Sequence, residues 1–151
     1  MSQELHDVYV KFREAIWRIN AYVGQIVSEH EELSQYSEQQ LQTLRVIKQH
    51  PNISQNDIAA FQGVYKTAIS NRIKKLEQDG LVFIRADEDM RKKVVSLSSK
   101  GLQLIEQADK VIYGKLDELL GPVFTEEEIF AVVRQLDKAA QHFKMNKEVK
   151  K

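Results

Sequence analysis

The chain of 151 residues has no cysteine, two prolines and one tryptophan. The absence of cysteine excludes a disulfide framework, a thiol nucleophile, a redox-sensing thiol and a zinc site built on thiolates. No apolar run approaches the ~18 residues of a membrane-spanning helix, and the N-terminus lacks the basic stretch and apolar core of a secretory signal. We therefore expect a soluble cytoplasmic protein without membrane association.

Neither sign of charge is in excess, since 22 basic residues balance 22 acidic ones, yet the charges are unevenly distributed. The net charge is −3 over residues 1–61, +4 over residues 62–100 and −1 over residues 101–151. Cations confined to the middle segment can meet phosphates, while the acidic flanks weaken non-specific attraction to nucleic acid. Hydrophobic residues make up 42% of the chain, which is ordinary for a globular protein.

The first segment predicts one long amphipathic helix, because its apolar residues recur at steps of three and four. They are Leu5, Val8, Phe12, Ala15, Ile16, Ile19, Val23 and Ile26. Tyr9, Trp17 and Tyr22 lie off that stripe, so the helix has a second apolar face that a partner can cover. Trp17 and Tyr22 are also candidates for an effector pocket, although burial in the core or a dimer interface explains them more simply.

The middle of the chain predicts two short helices joined by a tight turn. Ser37 and Gln40 form a capping box that begins a helix ending before Pro51. Ser54 and Gly63 mark the two ends of the first short helix, which follows it. The second short helix would bury one face and close at Asp79-Gly80; the buried face comprises Ala68, Ile69, Ile73 and Leu76. This order is typical of a helix-turn-helix.

Beyond the second short helix, residues 81–85 and 93–97 are rich in β-branched side chains and predict a hairpin with a charged tip. Ser98 or Ser99 caps the next helix, which Gly121-Pro122 ends, and Thr125 with Glu128 forms a capping box that opens the last helix. The expected fold is mainly α with a small β-hairpin wing. We expect a single domain over residues 1–151, with a winged helix-turn-helix lobe at about 37–100 and a dimerisation lobe built from helices at about 3–28 and 99–143.

The second short helix presents a polar face opposite its apolar one: Lys66, Thr67, Ser70, Asn71 and Lys74. Ammonium, hydroxyl and amide groups can read base edges or hold phosphates in a major groove. The hairpin adds cations at Arg85, Arg91 and Lys92, and a wing arginine can enter a narrow minor groove. The order and spacing of these residues favour DNA binding over an ordinary solvated surface.

Several stretches resemble the MarR family of bacterial transcription regulators. They are residues 54–59, 66–70 and 73–82, Asp89-Met90-Arg91 in the wing, and residues 97–101 at the next helix. The resemblance implies a triangular homodimer whose wing arginine is Arg91, with Asp89 as its salt-bridge partner. Tyr65 and Arg72 depart from the family pattern, as does the short spacing from Leu81 to Asp89.

Other chemistry has little support in the sequence. His30 begins a zincin-like motif, but Ser34 stands where the second histidine would be, so we expect no metal and no cofactor. No nucleophile elbow and no phosphate-binding loop is present, so we expect no enzyme.

The sequence thus predicts a sequence-specific, dimeric DNA-binding regulator, in particular a repressor of a pseudo-palindromic operator. The resemblance implies that a small molecule or an oxidant releases the DNA; because cysteine is absent, thiol oxidation is excluded as the trigger, which leaves a small-molecule effector or no effector at all. The alternative is a helical protein–protein interaction module whose winged helix does not bind DNA.

Overall fold

The computed structural model describes residues 1–88 and 91–143, in which six helices and three short strands form. The helices are α1 (Gln3–Glu29), α2 (Glu38–Gln49), α3 (Gln55–Gln62), α4 (Lys66–Gln78), α5 (Ser99–Leu120) and α6 (Glu126–His142). The strands are β1 (Ile53–Ser54), β2 (Val82–Ala86) and β3 (Lys93–Leu97). The expected mainly helical fold with a hairpin wing is confirmed.

Hydroxyl side chains begin all of these helices except α4. In each case the side-chain oxygen accepts a hydrogen bond from a backbone amide of the first turn, at Ser2, Ser37, Ser54, Ser98 and Thr125. Such a cap stabilises a helix by about 1 kcal/mol. The capping boxes predicted at Ser37 and Thr125 both form, because the side-chain oxygens of Gln40 and Glu128 accept a hydrogen bond from the backbone amide of the cap residue.

The wing belongs to a three-stranded antiparallel sheet in the order β1-β3-β2. Val95 in β3 is fully buried and pairs with Ile53 on one side and Ile84 on the other. The sequence predicted only the hairpin formed by β2 and β3. The strand β1 has two residues, too few for an alternating pattern to identify it.

The core lies between the helices of the winged-helix lobe and the first half of α5. Fully buried side chains come from α2, α3, α4, the start of β2 and α5, including Leu44, Ile58, Ile73, Leu81 and Ile105. The apolar residues of α1 join this core only near its C-terminal end, where Ile26 and Val27 are buried.

The start of α5 is fixed against the turn between α4 and β2, a contact that we call the lobe junction. The Ser98 hydroxyl donates to the Gly80 carbonyl oxygen at 2.6 Å, and Lys100 Nζ donates to the Asp79 carbonyl oxygen at 2.9 Å. Gly101 is buried here, and a Cβ built on it would lie 2.1 Å from the carbonyl oxygen of Leu81. Backbone therefore packs directly against backbone, and only glycine fits.

A large apolar surface remains exposed in the single chain. Every side chain in residues 1–21 is exposed, and α6 buries none of its residues. The uncovered apolar side chains include Phe12, Ile19, Phe130, Val133 and Leu136. An amphipathic helix with no buried face gains little from its own chain, since most helix stability in proteins comes from packing. No helix within the described residues has the length and hydropathy to cross a membrane.

Candidate nucleic-acid interface

The helix-turn-helix consists of α3, a tight turn and α4. Gly63 ends α3 in the left-handed region, with φ of 64°, where glycine has no Cβ penalty. The Gly63 and Val64 amides donate to carbonyl oxygens of the last turn of α3, at Ala60 and Ala59. The short turn that results brings α4 back against α3, as the sequence predicted.

The helix α4 buries one face and presents the other to solvent. Ile69, Ile73 and Leu76 are 0% exposed and fix how far the helix is rotated about its axis. The predicted contact residues lie on the outer side, where Ser70 is half-buried and the others are exposed: Lys66, Thr67, Asn71 and Lys74. The expectation that Ala68 faces the core is wrong. Ala68 is exposed, because it lies one residue before Ile69 and therefore on the flank of the helix.

The N-terminal end of α4 carries no negative side chain. Tyr65 precedes the helix without giving a side-chain hydrogen bond, and its first turn contains no acidic residue. The unpaired amides and the helix dipole therefore leave partial positive charge at the end where Lys66 and Thr67 lie.

The base of the wing holds Arg85 on the exposed face of β2. Its guanidinium donates to the side-chain oxygen of Asn52, which lies just before β1 in the left-handed region, with φ of 62°. Asparagine tolerates this conformation better than most residues. Arg85 thus links β2 to the residue that precedes β1, a contact between residues 33 positions apart that the sequence pattern did not reveal.

Cations cluster where the wing turns back. The Asp87 amide donates to the Lys92 carbonyl oxygen at 2.9 Å, which closes the hairpin, and Arg91 and Lys92 are exposed beside it. Asp89, the predicted partner of Arg91, lies outside the described residues. A cavity of about 300 Å³ separates the wing from the start of α3 and is lined by Ser54, Gln55, Asn56, Arg91, Lys92 and Lys93. Lys93 belongs to the expected wing cations, whereas Gln55 and Asn56 were not among the predicted contacts, although the Ser54 cap placed the helix start in this region.

The Arg72 side chain does not lie on the outer face of α4 but contacts α2 and α3. Its Nη1 donates to Thr43 Oγ1 at 3.3 Å and to Gln62 Oε1 at 3.5 Å. Burial lowers the pKa of the Arg72 guanidinium. The sequence marked Arg72 as unusual but did not indicate these partners.

The two candidate effector residues have different surroundings. Trp17 is 59% exposed beneath the Arg13 guanidinium, whereas Tyr22 is half-buried against the core. A groove of about 360 Å³ lies elsewhere, between the α1–α2 connection, the end of α4 and the start of α5. Tyr36 lines it, and burial and the Asp79 carboxylate raise the pKa of the Tyr36 phenol. Within residues 1–88 and 91–143, no three histidine or carboxylate side chains come together as a metal site would require.

Comparison with known proteins shows which family has this arrangement. The family model described as MarR family matches residues 34–92, which span α2 to the wing. The YdgG HTH-type transcriptional regulator of Bacillus subtilis is 30% identical over 118 residues, covering 70% of this chain and 78% of that protein.

Solved structures share the fold at lower identity. A crystal structure of MarR superposes with a TM-score of 0.76 and 22% identity, over 85% of this chain and 88% of that one. The MepR–DNA complex of Staphylococcus aureus gives a TM-score of 0.68 and 22% identity, over 93% and 98% of the two chains. With the winged helix-turn-helix geometry and the YdgG relationship, these findings establish that the chain belongs to the MarR family of transcriptional regulators.

Proposed function

We propose that this regulator binds double-stranded DNA sequence-specifically in the cytoplasm and acts as a dimeric repressor at a pseudo-palindromic operator. The observation that carries the proposal is the outer face of α4, with four exposed polar residues and an uncapped, positive N-terminus, in a lobe that also carries a cationic wing. A helix of this shape fits a major groove. The MepR complex is a DNA complex of a protein with the same fold.

Each part of the interface has a proposed role. Lys66, Thr67, Ser70, Asn71 and Lys74 enter the major groove, where Asn71 and Thr67 meet base edges and the lysines meet phosphates. Arg91, with Asp89 as its salt-bridge partner, reaches the neighbouring minor groove, and Lys92 binds the phosphate backbone of the DNA. Arg85 contacts a phosphate from the base of the wing while it holds Asn52.

Dimerisation through α1, α5 and α6 is the second part of the proposal. The exposed apolar side chains of α1 and α6 form a surface of the kind that monomeric proteins rarely leave uncovered. Two-fold symmetry would place two copies of α4 in successive major grooves, about 34 Å apart.

Selection from a pool of random duplexes tests the function directly. We expect the purified protein to select an inverted repeat and to bind it at least ~10³-fold more tightly than random duplex at physiological salt, with two chains per site. Weak binding that is the same for all sequences would contradict the proposal and favour a protein–protein interaction module.

Asn71→Ala is expected to weaken operator binding by about 1–3 kcal/mol and to relax the base preference at one position of each half-site. An alanine cannot replace the paired donor and acceptor of the amide. Affinity for a panel of single-base operator variants measures both effects. Gln135→Ala, which removes an exposed amide from α6, is the control and should leave binding unchanged. Uniform weakening across the panel would assign Asn71 to a phosphate instead.

Arg91→Ala is expected to cost about 1–3 kcal/mol of operator affinity, with the largest loss on operators whose flanks are A·T-rich. Narrow minor grooves concentrate negative potential, so an inserted guanidinium gains most there. Operators with A·T-rich and G·C-rich flanks, titrated in parallel, measure the difference. Arg134→Ala removes the same charge from α6 and should leave the ratio between the two operators unchanged. An equal loss on both operators would reject the minor-groove role.

Release of the DNA by a small molecule is the remaining part of the proposal, with Trp17 and Tyr22 as its contact residues. Because Trp17 is the only tryptophan, its fluorescence reports ligand binding at this face without a label.

A further inference from the structure

Three helices of the winged-helix lobe meet at a small polar network formed by Gln39, Thr43, Gln62 and Arg72. Thr43 on α2 is 0% exposed, and its Oγ1 lies 2.6 Å from Gln62 Oε1 and 3.0 Å from the Gln39 carbonyl oxygen. Gln62, the last residue of α3, returns a bond from Nε2 to that carbonyl oxygen at 3.4 Å. Arg72 on α4 completes the network through the two bonds from its Nη1.

Arg72, the cation in this network, has only neutral partners among the described residues. Within residues 1–88 and 91–143, no carboxylate forms an ion pair with Arg72. The half-buried Arg45 shows the ordinary arrangement, since its Nη2 lies 2.6 Å from the Asp109 carboxylate. Arg72 is half-buried, so its guanidinium is partly removed from water without an opposite charge, and the two hydrogen bonds to neutral oxygens offset only part of that cost. We therefore expect that an unbranched apolar side chain at this position would leave the protein at least as stable.

The network joins the one helix that carries the proposed base contacts to the two helices behind it. The apolar contacts of Ile69, Ile73 and Leu76 hold α4 against the core, but apolar contacts have little directional preference. Hydrogen bonds from Arg72 to α2 and α3 do depend on direction, so they restrict rotation and sliding of α4. Base readout needs contact residues held within about 0.5 Å.

We propose that Arg72 is a specificity-determining positioning residue, which fixes the orientation of α4 through Thr43 and Gln62 and so sharpens discrimination between operator and other DNA. The inference rests on the proposed DNA-binding function. On this proposal, the partly buried Arg72 guanidinium lowers the stability of the fold but improves recognition of DNA. Functional sites commonly contain residues that are unfavourable for folding in this way.

Arg72→Met tests the proposal with the full-length protein. Affinities are measured for the selected operator and for a scrambled duplex of equal length, together with thermal unfolding. We expect the ratio of the two affinities to fall by about tenfold or more, within the range that one mismatched operator position costs. The unfolding temperature should stay the same or rise. Thr43→Val, which removes the hydroxyl at nearly constant volume, should lower the ratio in the same direction.

The controls separate positioning from charge and from stability. Lys75→Met removes a cation from the same flank of α4, where the exposed Lys75 has its Nζ 3.5 Å from Asp79 Oδ1. This substitution should weaken binding to both duplexes equally. Arg72→Lys keeps the charge without the forked donors and should recover only part of the ratio. Combining Thr43→Val with Arg72→Met should lower the ratio no further than Arg72→Met alone.

Three outcomes would overturn the inference while leaving DNA binding intact. They are a wild-type ratio in Arg72→Met, an equal loss on both duplexes as in Lys75→Met, and a loss that follows a lowered unfolding temperature. A wild-type protein that does not discriminate operator from scrambled duplex would instead reject the proposed function, and the inference with it.

Discussion

Gly101→Ala is expected to lower the free energy of unfolding by about 3 kcal/mol or more, the upper part of the range for overpacking a well-packed interior. The added Cβ would lie 2.1 Å from the Leu81 carbonyl oxygen and 3.0 Å from its carbonyl carbon. Neither atom can move aside, because both belong to the backbone of the turn into β2. The lobe junction must therefore open, and the hydrogen bonds of Ser98 and Lys100 are strained with it.

Urea denaturation followed by circular dichroism measures this loss. Gly114→Ala is the matched control, since Gly114 lies in the same helix and a Cβ there would meet no atom within 4 Å. That substitution should stabilise the protein by roughly 0.5–1 kcal/mol, because alanine is the better helix former. If the two variants were equally stable, the junction would be far more yielding than its geometry indicates.

Val133→Asp is expected to dissociate the proposed dimer and to weaken operator binding by about 10²–10⁴-fold. Val133 is 55% exposed in the single chain and lies centrally in the apolar stripe of α6. At an interface between two copies, each aspartate would lose its water and gain no partner. A monomer engages one half-site at a time, so it loses the gain in effective concentration that joins the two contacts.

Sedimentation at micromolar concentration and operator titration test this expectation together. Gln135→Asp adds the same charge two residues away, on the opposite side of α6, and should leave the mass and the affinity unchanged. A Val133→Asp protein that still sediments as a dimer would place the interface elsewhere. A monomer that binds the operator at full strength would instead remove dimerisation from the mechanism of recognition.

Much of the fold could be predicted because its signals are local. Ser37, Ser54 and Thr125 begin helices through bonds to amides only three residues ahead, and Gly63 ends one through its own backbone freedom. Short-range patterns of this kind are visible in a sequence. Ala68 was misplaced because a step of one residue rotates a side chain by about 100° around the helix, from the core to the flank.

The sequence did not reveal contacts between residues that are far apart along the chain. Arg85 meets Asn52, and Arg72 meets Thr43, across 33 and 29 positions respectively. Both contacts require the sheet and the three helices to be assembled first, so no local pattern identifies them. The residue types of the outer face of α4 could be predicted, whereas the network that orients this face could not.

The lobe junction also couples the position of the winged-helix lobe to the direction of α5. With 22 residues, α5 is a strut of roughly 33 Å, and its first turn touches the Leu81 backbone with no side chain between them to absorb movement. A tilt of about 10° at its far end would displace the winged-helix lobe by roughly 6 Å, more than the rise of one base pair. In a dimer, the distance between the two winged-helix lobes would therefore depend on the angle between the two α5 helices. Mutations remote from DNA could then change which spacing of operator half-sites is bound.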